Sequence, residues 1–146
     1  MPLVERSTTV AVPPERAFRF VADARNALRW MHNFTRFEPE RPGVYGLGAR
    51  VNATGTVLGF PIATTLEIVE FDPPKRLVSR TSGRLKSHSL WEFAPVDGGT
   101  RVTFTGEYDV PGGLLRMIGW PLVQRELETN AEISLRNLKA ALEEGG

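Results

Sequence analysis

The chain contains no cysteine, which excludes a disulfide framework and any thiolate metal site and fits a reducing compartment such as the cytoplasm. Histidine is nearly absent as well: His32 and His88 are the only two. Metal sites built on clustered histidines, and catalytic triads that need a histidine base, have almost nothing to draw on. No apolar run reaches the roughly 18 residues needed to span a bilayer. The opening MPLVERSTTV carries Glu5 and Arg6 where a signal peptide would be apolar. Charge of one sign is missing too, since 18 basic and 17 acidic side chains leave a net charge of +1. They are interspersed, with no basic stripe of the kind nucleic-acid binders use. Arg76, Arg80, Arg84 and Lys86 come nearest, and they read as solvated strand positions. These absences lead us to expect a cytoplasmic protein with no nucleic-acid partner and no stable membrane insertion, a monomer or a homodimer.

What is present fits one domain: 146 residues lie within the usual single-domain range and can bury a core without staples. Residues 3–12 alternate as a half-buried strand, with Val4, Thr8, Val10 and Val12 on one side. Pro13-Pro14-Glu15 then opens a helix, because proline is tolerated in a first turn and an early acid suits the helix dipole. Ala17, Phe18, Val21 and Ala22 form its apolar face and Asp23 marks its end; a second short helical piece runs from Ala24 to Trp30. Segments 34–41, 48–59, 61–72, 76–82, 85–96 and 100–110 read as strands separated by turn signals such as Pro42-Gly43, Asp72-Pro73-Pro74 and Asp97-Gly98-Gly99. Short links without helices imply an antiparallel meander. After Pro111-Gly112-Gly113 the period changes. Leu127, Ala131, Leu135, Leu138 and Leu142 lie on one helical face, and Pro121 predicts a kink or break near Trp120. The segregation of strands from helices predicts an α+β fold.

Parity along the strands predicts a cavity. Charged residues fix the outer face, so the inward set becomes Ala49, Val51, Ala53, Gly55 and Val57; Ile62, Thr64, Leu66 and Ile68; Leu77, Ser79 and Thr81; Leu85, Ser87, Ser89, Trp91 and Phe93; and Val102, Phe104, Gly106 and Tyr108. Many of these are small. Interiors normally fill to crystal-like density, so a row of small residues is either met by bulk or left empty. The C-terminal helix offers Leu and Ala opposite them, and strand glycines let a sheet curl around it. A lining of apolar and aromatic residues with a few hydroxyls is ordinary for a small-molecule pocket. The alternative is close packing on the helix, with the serines bonded to backbone.

Four stretches carry a family resemblance: residues 9–18 (TVAVPPERAF), 46–51 (GLGARV), 69–77 (VEFDPPKRL) and 91–102 (WEFAPVDGGTRV). Together they resemble the opening strand and helix start, the glycine-led third strand, the turn after the fourth strand and the closing hairpin of the Bet v 1-like, START-related (SRPBCC) superfamily. The likeness is strongest to its bacterial polyketide cyclase/dehydrase-like group. The resemblance implies a helix-grip fold: about seven curved antiparallel strands around a long C-terminal helix, two short helices after the first strand, and a ligand cavity. Members bind lipids, steroids, plant hormones or polyketides, and some are cyclases. No catalytic residue is carried over, because no shared catalytic motif can be placed in this sequence.

Candidate chemistry is sparse. His32, in a loop beside Trp30 and Phe34 where the family's cavity mouth would lie, is a candidate general base. Tyr108 has inward parity and is a candidate donor to a ligand carbonyl; Tyr45 and Asn130 also qualify by position. Each has a bland alternative as a surface loop residue or a packed ring. Gly46-Leu47-Gly48 lacks the later glycine and following helix of a phosphate loop, and no metal or redox-cofactor motif is visible. Trp30, Met31, Phe34, Phe60, Met117, Ile118 and Trp120 lie near element ends and suit a gate over a cavity or a partner surface. The expected ligand-binding set is Trp30, Phe34, Val51, Ala53, Val57, Leu66, Ser79, Ser87, Ser89, Trp91, Phe104, Tyr108, Trp120 and Leu127, with no cofactor. The expected role is binding of an apolar, lipid-like or polyketide-like small molecule for transport or sequestration. A cyclase or dehydratase, or an interaction module, are the alternatives.

Overall fold

The structure, a computed structural model, describes residues 3–41, 46–84, 86–110 and 112–144. Strand β1 (Leu3–Val10) leads into helix α1 (Pro14–Ala22), a 3-10 turn (Ala24–Asn26) and the single turn α2 (Ala27–Trp30). Six strands follow: β2 (Phe34–Pro39), β3 (Arg50–Val57), β4 (Phe60–Asp72), β5 (Arg76–Gly83), β6 (Lys86–Val96) and β7 (Gly99–Asp109). Helices α3 (Gly112–Ile118) and α4 (Trp120–Glu143) complete the order. All seven strands join one antiparallel sheet, β1-β7-β6-β5-β4-β3-β2, which curls around α4. This is the expected α+β helix-grip architecture. The turn Pro42-Gly43, Tyr45, the inward position Leu85 and the turn residue Pro111 lie outside the described residues.

Local chemistry sets the element ends. Pro14 opens α1 with Glu15 in its first turn, and the Asp23 N–H bonds Arg19 O at its end. The Asp23 carboxylate then accepts from the Arg25 amide at 3.0 Å, which starts the 3-10 turn. The β3–β4 hairpin closes through Leu58 and Gly59, at φ 51° and 85°, the pair of positive φ values that a two-residue turn matching strand twist requires. The Leu58 N–H donates to Glu126 Oε2 of α4 at 2.8 Å, which ties this hairpin tip to the helix. The break expected near Trp120-Pro121 falls at Gly119, whose φ of 94° and ψ of 148° suit glycine. Pro121 sits in the first turn of α4, where its missing N–H removes no bond, so it starts a helix instead of kinking one.

The core is denser at one end of the sheet than at the other. Leu127, Ala131, Leu135, Leu138 and Leu142 are all buried, as their spacing predicts. Toward the C-terminus of α4, Leu138 and Leu142 join Val10, Phe18, Phe93 and Val102 in a tightly packed cluster. Each such side chain contributes about 1.5–3 kcal/mol through burial. Polar contacts hold α4 to the first strand. Arg6 meets Glu132 at 3.1 Å, Lys139 Nζ donates to Thr9 O at 2.7 Å, and the Ala11 N–H donates to Glu143 at 3.0 Å. On the outer face Arg76 pairs with Glu70 at 2.7 Å and Arg80 with Glu67 at 3.1 Å. Among the described residues no helix is long and apolar enough to cross a membrane.

Candidate ligand cavity

Cross-strand register turns the parity of single strands into rows across the sheet. Leu77, Trp91 and Phe104 stand opposite one another on β5, β6 and β7; one step along lie Ser79, Ser89 and Gly106; the next row is Thr81, Ser87 and Tyr108. A row of small residues between two bulkier rows makes a trough. On β7 the trough is narrowed from both sides. A Cβ placed on Gly106 would lie 2.8 Å from Phe104 Cζ and 2.9 Å from Tyr108 Cε2, so only glycine leaves room for both rings. Over the trough α4 presents Leu127, Asn130, Ala131 and Ser134, and the space left is a cavity of about 80 Å³. One water occupies about 10–15 Å³ of such space, so the void is the size of several waters or a single substituted ring.

A second void of about 60 Å³ lies toward α1 and the 3-10 turn. Trp30, Met31, Leu66, Ser79 and Trp91 border both cavities and form the partition between them. Trp30 is fixed edge-on against Trp91 at 5.3 Å, and Trp91 leans on Phe104 at 4.7 Å. The segment carrying Trp30 is strapped to α4: Asn137 Nδ2 donates to Trp30 O at 3.3 Å, and the His32 N–H donates to Ser134 Oγ at 2.9 Å.

The first cavity is neutral. Among the described residues none that line it is charged, and Tyr108 is its titratable group. Burial pushes the Tyr108 hydroxyl up to about 12, because removing phenolate from water disfavours the charged form. The hydroxyl stays protonated and acts as a donor at every physiological pH. Thr81 and Ser87 hydroxyls bond each other at 2.7 Å. Among the described residues no cluster of three His, Asp or Glu could hold a metal ion.

Of the residues expected from sequence, Trp30, Phe34, Val57 and Leu66 line the first cavity, with Ser79, Ser87, Ser89, Trp91, Phe104, Tyr108 and Leu127. Val51, at the start of β3, lines the second cavity, whereas Gly55, Thr56 and Val57 at the other end of the strand line the first. Ala53 is buried between Phe37 and Thr64 in the sheet and borders neither void. Trp120 is 42 % exposed in the first turn of α4 and lines neither. The His32 side chain is exposed and also outside the lining; only its backbone reaches α4. It sits in the connection between Met31 and Asn33, both of which do line the cavity. Met31, expected as part of a gate, lines the first cavity, and Ser134 lines it without having been expected there. Ser134 follows Asn130 by one helical turn beside the apolar stripe, and that polar pair was the available signal.

A family model described as polyketide cyclase/dehydrase and lipid transport matches residues 1–143. The chain belongs to that family. No match was found among curated protein sequences. Among solved structures, TTHA0849 from Thermus thermophilus is 24% identical with a TM-score of 0.75, covering 96% of this chain and 99% of its own. The Zhui aromatase/cyclase from Streptomyces sp. R1128 is 17% identical with a TM-score of 0.78, over 97% of this chain and 93% of that one. Ara h 8.0201 is 15% identical with a TM-score of 0.70, over 96% of both chains. At these identities the structures share the fold. The polyketide cyclase/dehydrase family member described here therefore has a Bet v 1-like fold with an apolar interior cavity.

Proposed function

We propose that the protein binds a hydrophobic, uncharged small molecule, lipid-like or polyketide-like, in the cavity between the sheet and α4, and carries or sequesters it. The supporting observation is the lining: apolar and aromatic, with neutral hydroxyls and no charged side chain among the described residues. Such a site stabilises a molecule by removing its apolar surface from water while a few polar groups fix its orientation. The test is native mass spectrometry of the purified protein, followed by denaturing extraction and by challenge with a mixed lipid and polyketide library. A stoichiometric passenger is the expected result. A clean unliganded mass with no uptake from the library would overturn the reading.

One observation favours a second reading, cyclisation or dehydration of a polyketide precursor. Tyr108 borders the cavity with a hydroxyl that burial keeps protonated, suited to donating to a carbonyl oxygen as negative charge develops there. Its shift is away from neutrality, however, and proton abstraction near pH 7 needs a base poised near that pH. Carriage is therefore the primary reading. Tyr108→Phe separates the two. Turnover by the wild type that is lost in the variant, with binding retained, would establish chemistry.

A further inference from the structure

Two buried donors beside the first cavity have no hydrogen-bond partner among the described residues: the Trp30 indole Nε1 and the Asn130 amide Nδ2. Trp30 is 2% and Asn130 8% exposed, and both residues line the cavity. They come from opposite walls, Trp30 from the end of α2 and Asn130 from the inner face of α4. Native interiors rarely leave such groups unmatched, so each calls for an explanation. Several hydroxyls of the lining are already engaged: Thr81 with Ser87, Thr64 with Ser82 O, and Ser134 with the His32 amide. The two fully buried atoms without a partner are thus both N–H donors, beside the Ser79, Ser89 and Tyr108 hydroxyls that also border the space. With no cation in the lining, a carboxylate entering here would lose its hydration without gaining a counter-charge.

We infer that Trp30 and Asn130 are the specificity-determining groups of the cavity, and that they select a ligand with a neutral acceptor oxygen, a ketone, ester or quinone-type carbonyl, over a hydrocarbon or a carboxylic acid. This deepens the ligand-cavity reading and rests on it. A site built to hydrogen-bond a ligand atom discriminates strongly against an analogue lacking it, because the site's own polar groups are then left buried and unpaired.

A matched pair of single-ring probes of the right size tests the inference: acetophenone and α-methylstyrene, which differ in C=O against C=CH2, with benzoate as the charged analogue. The protein's three tryptophans give three indole N–H signals in a nitrogen–proton correlation spectrum, and Trp30→Phe identifies the one from Trp30. The expected result is that acetophenone binds about tenfold more tightly than α-methylstyrene, the difference one hydrogen bond to a buried donor supplies. Acetophenone should also move the Trp30 signal downfield relative to α-methylstyrene, and benzoate should bind most weakly. Asn130→Leu should weaken acetophenone about tenfold and leave α-methylstyrene within twofold, which also shows that the variant is folded. Equal affinities of the two uncharged probes for the wild-type protein would overturn the inference while leaving the cavity reading intact. So would an equal loss of both in the variant. Failure of both probes to bind would overturn the cavity reading together with the inference.

Discussion

Burial acts on single side chains in opposite ways here. Tyr108 gains a firmly held proton, with its hydroxyl pushed up to about 12 from an ordinary value of 10. Its folded-state value lies above the unfolded one, so the associated stability is complete below pH 10 and declines as pH rises toward 12, by about 3 kcal/mol in all. Denaturant titrations at pH 9 and pH 11.5 should show this decline in the wild type and a smaller one in Tyr108→Phe. Asn130 carries an unmatched amide, which costs about 1–3 kcal/mol in the empty protein. Asn130→Leu should leave ligand-free stability unchanged or raise it by about 1 kcal/mol, measurable as a shift in the denaturation midpoint. Ser89, between Ser79 and Gly106 in the trough, has the reverse role, since its smallness leaves the space. Ser89→Trp should fill the trough and abolish ligand uptake while the circular dichroism spectrum stays that of a folded protein; unchanged uptake would remove the trough as the binding place.

At the scale of elements, regular structure was legible in the sequence and its ends were less so. Strand parity separated inner from outer faces because charged residues such as Arg50, Arg80 and Glu107 occupy one side of a strict two-residue period. That placed Ser79, Ser89 and Trp91 on the inner face. It could not say which of two voids an inward residue borders, since that depends on position along the strand: Val51 borders the second, Val57 the first, and Ala53 between them neither. Neither His32 nor Trp120 lies in a periodic segment. His32 sits in a connection and Trp120 at a helix start, where no repeat fixes the side-chain direction. The α3–α4 joint was anticipated through Pro121, but Gly119 makes it. A β-carbon at a φ of 94° and ψ of 148° is strained by about 1–3 kcal/mol. Gly119→Ala should destabilise by that amount in a thermal melt, whereas Pro121→Ala should change stability by less.

At the scale of the molecule, the partition formed by Trp30, Met31, Leu66, Ser79 and Trp91 limits what the interior can hold. Met31 is its softest member, half-buried and unbranched. Met31→Ala should join the two voids at a cost of about 2 kcal/mol and shift preference toward larger ligands, read by uptake of a graded series of aromatic ketones. The pairing of β1 with β7, Leu3 opposite Glu107 through Val10 opposite Thr100, has a consequence in time. A chain emerging N-terminus first cannot seat its first strand until its seventh has been made, and α4, which roofs the trough, follows all seven. At about 5–20 residues per second of synthesis, the first strand waits for seconds before the strand it pairs with exists, so the sheet closes only when nearly the whole chain has been made.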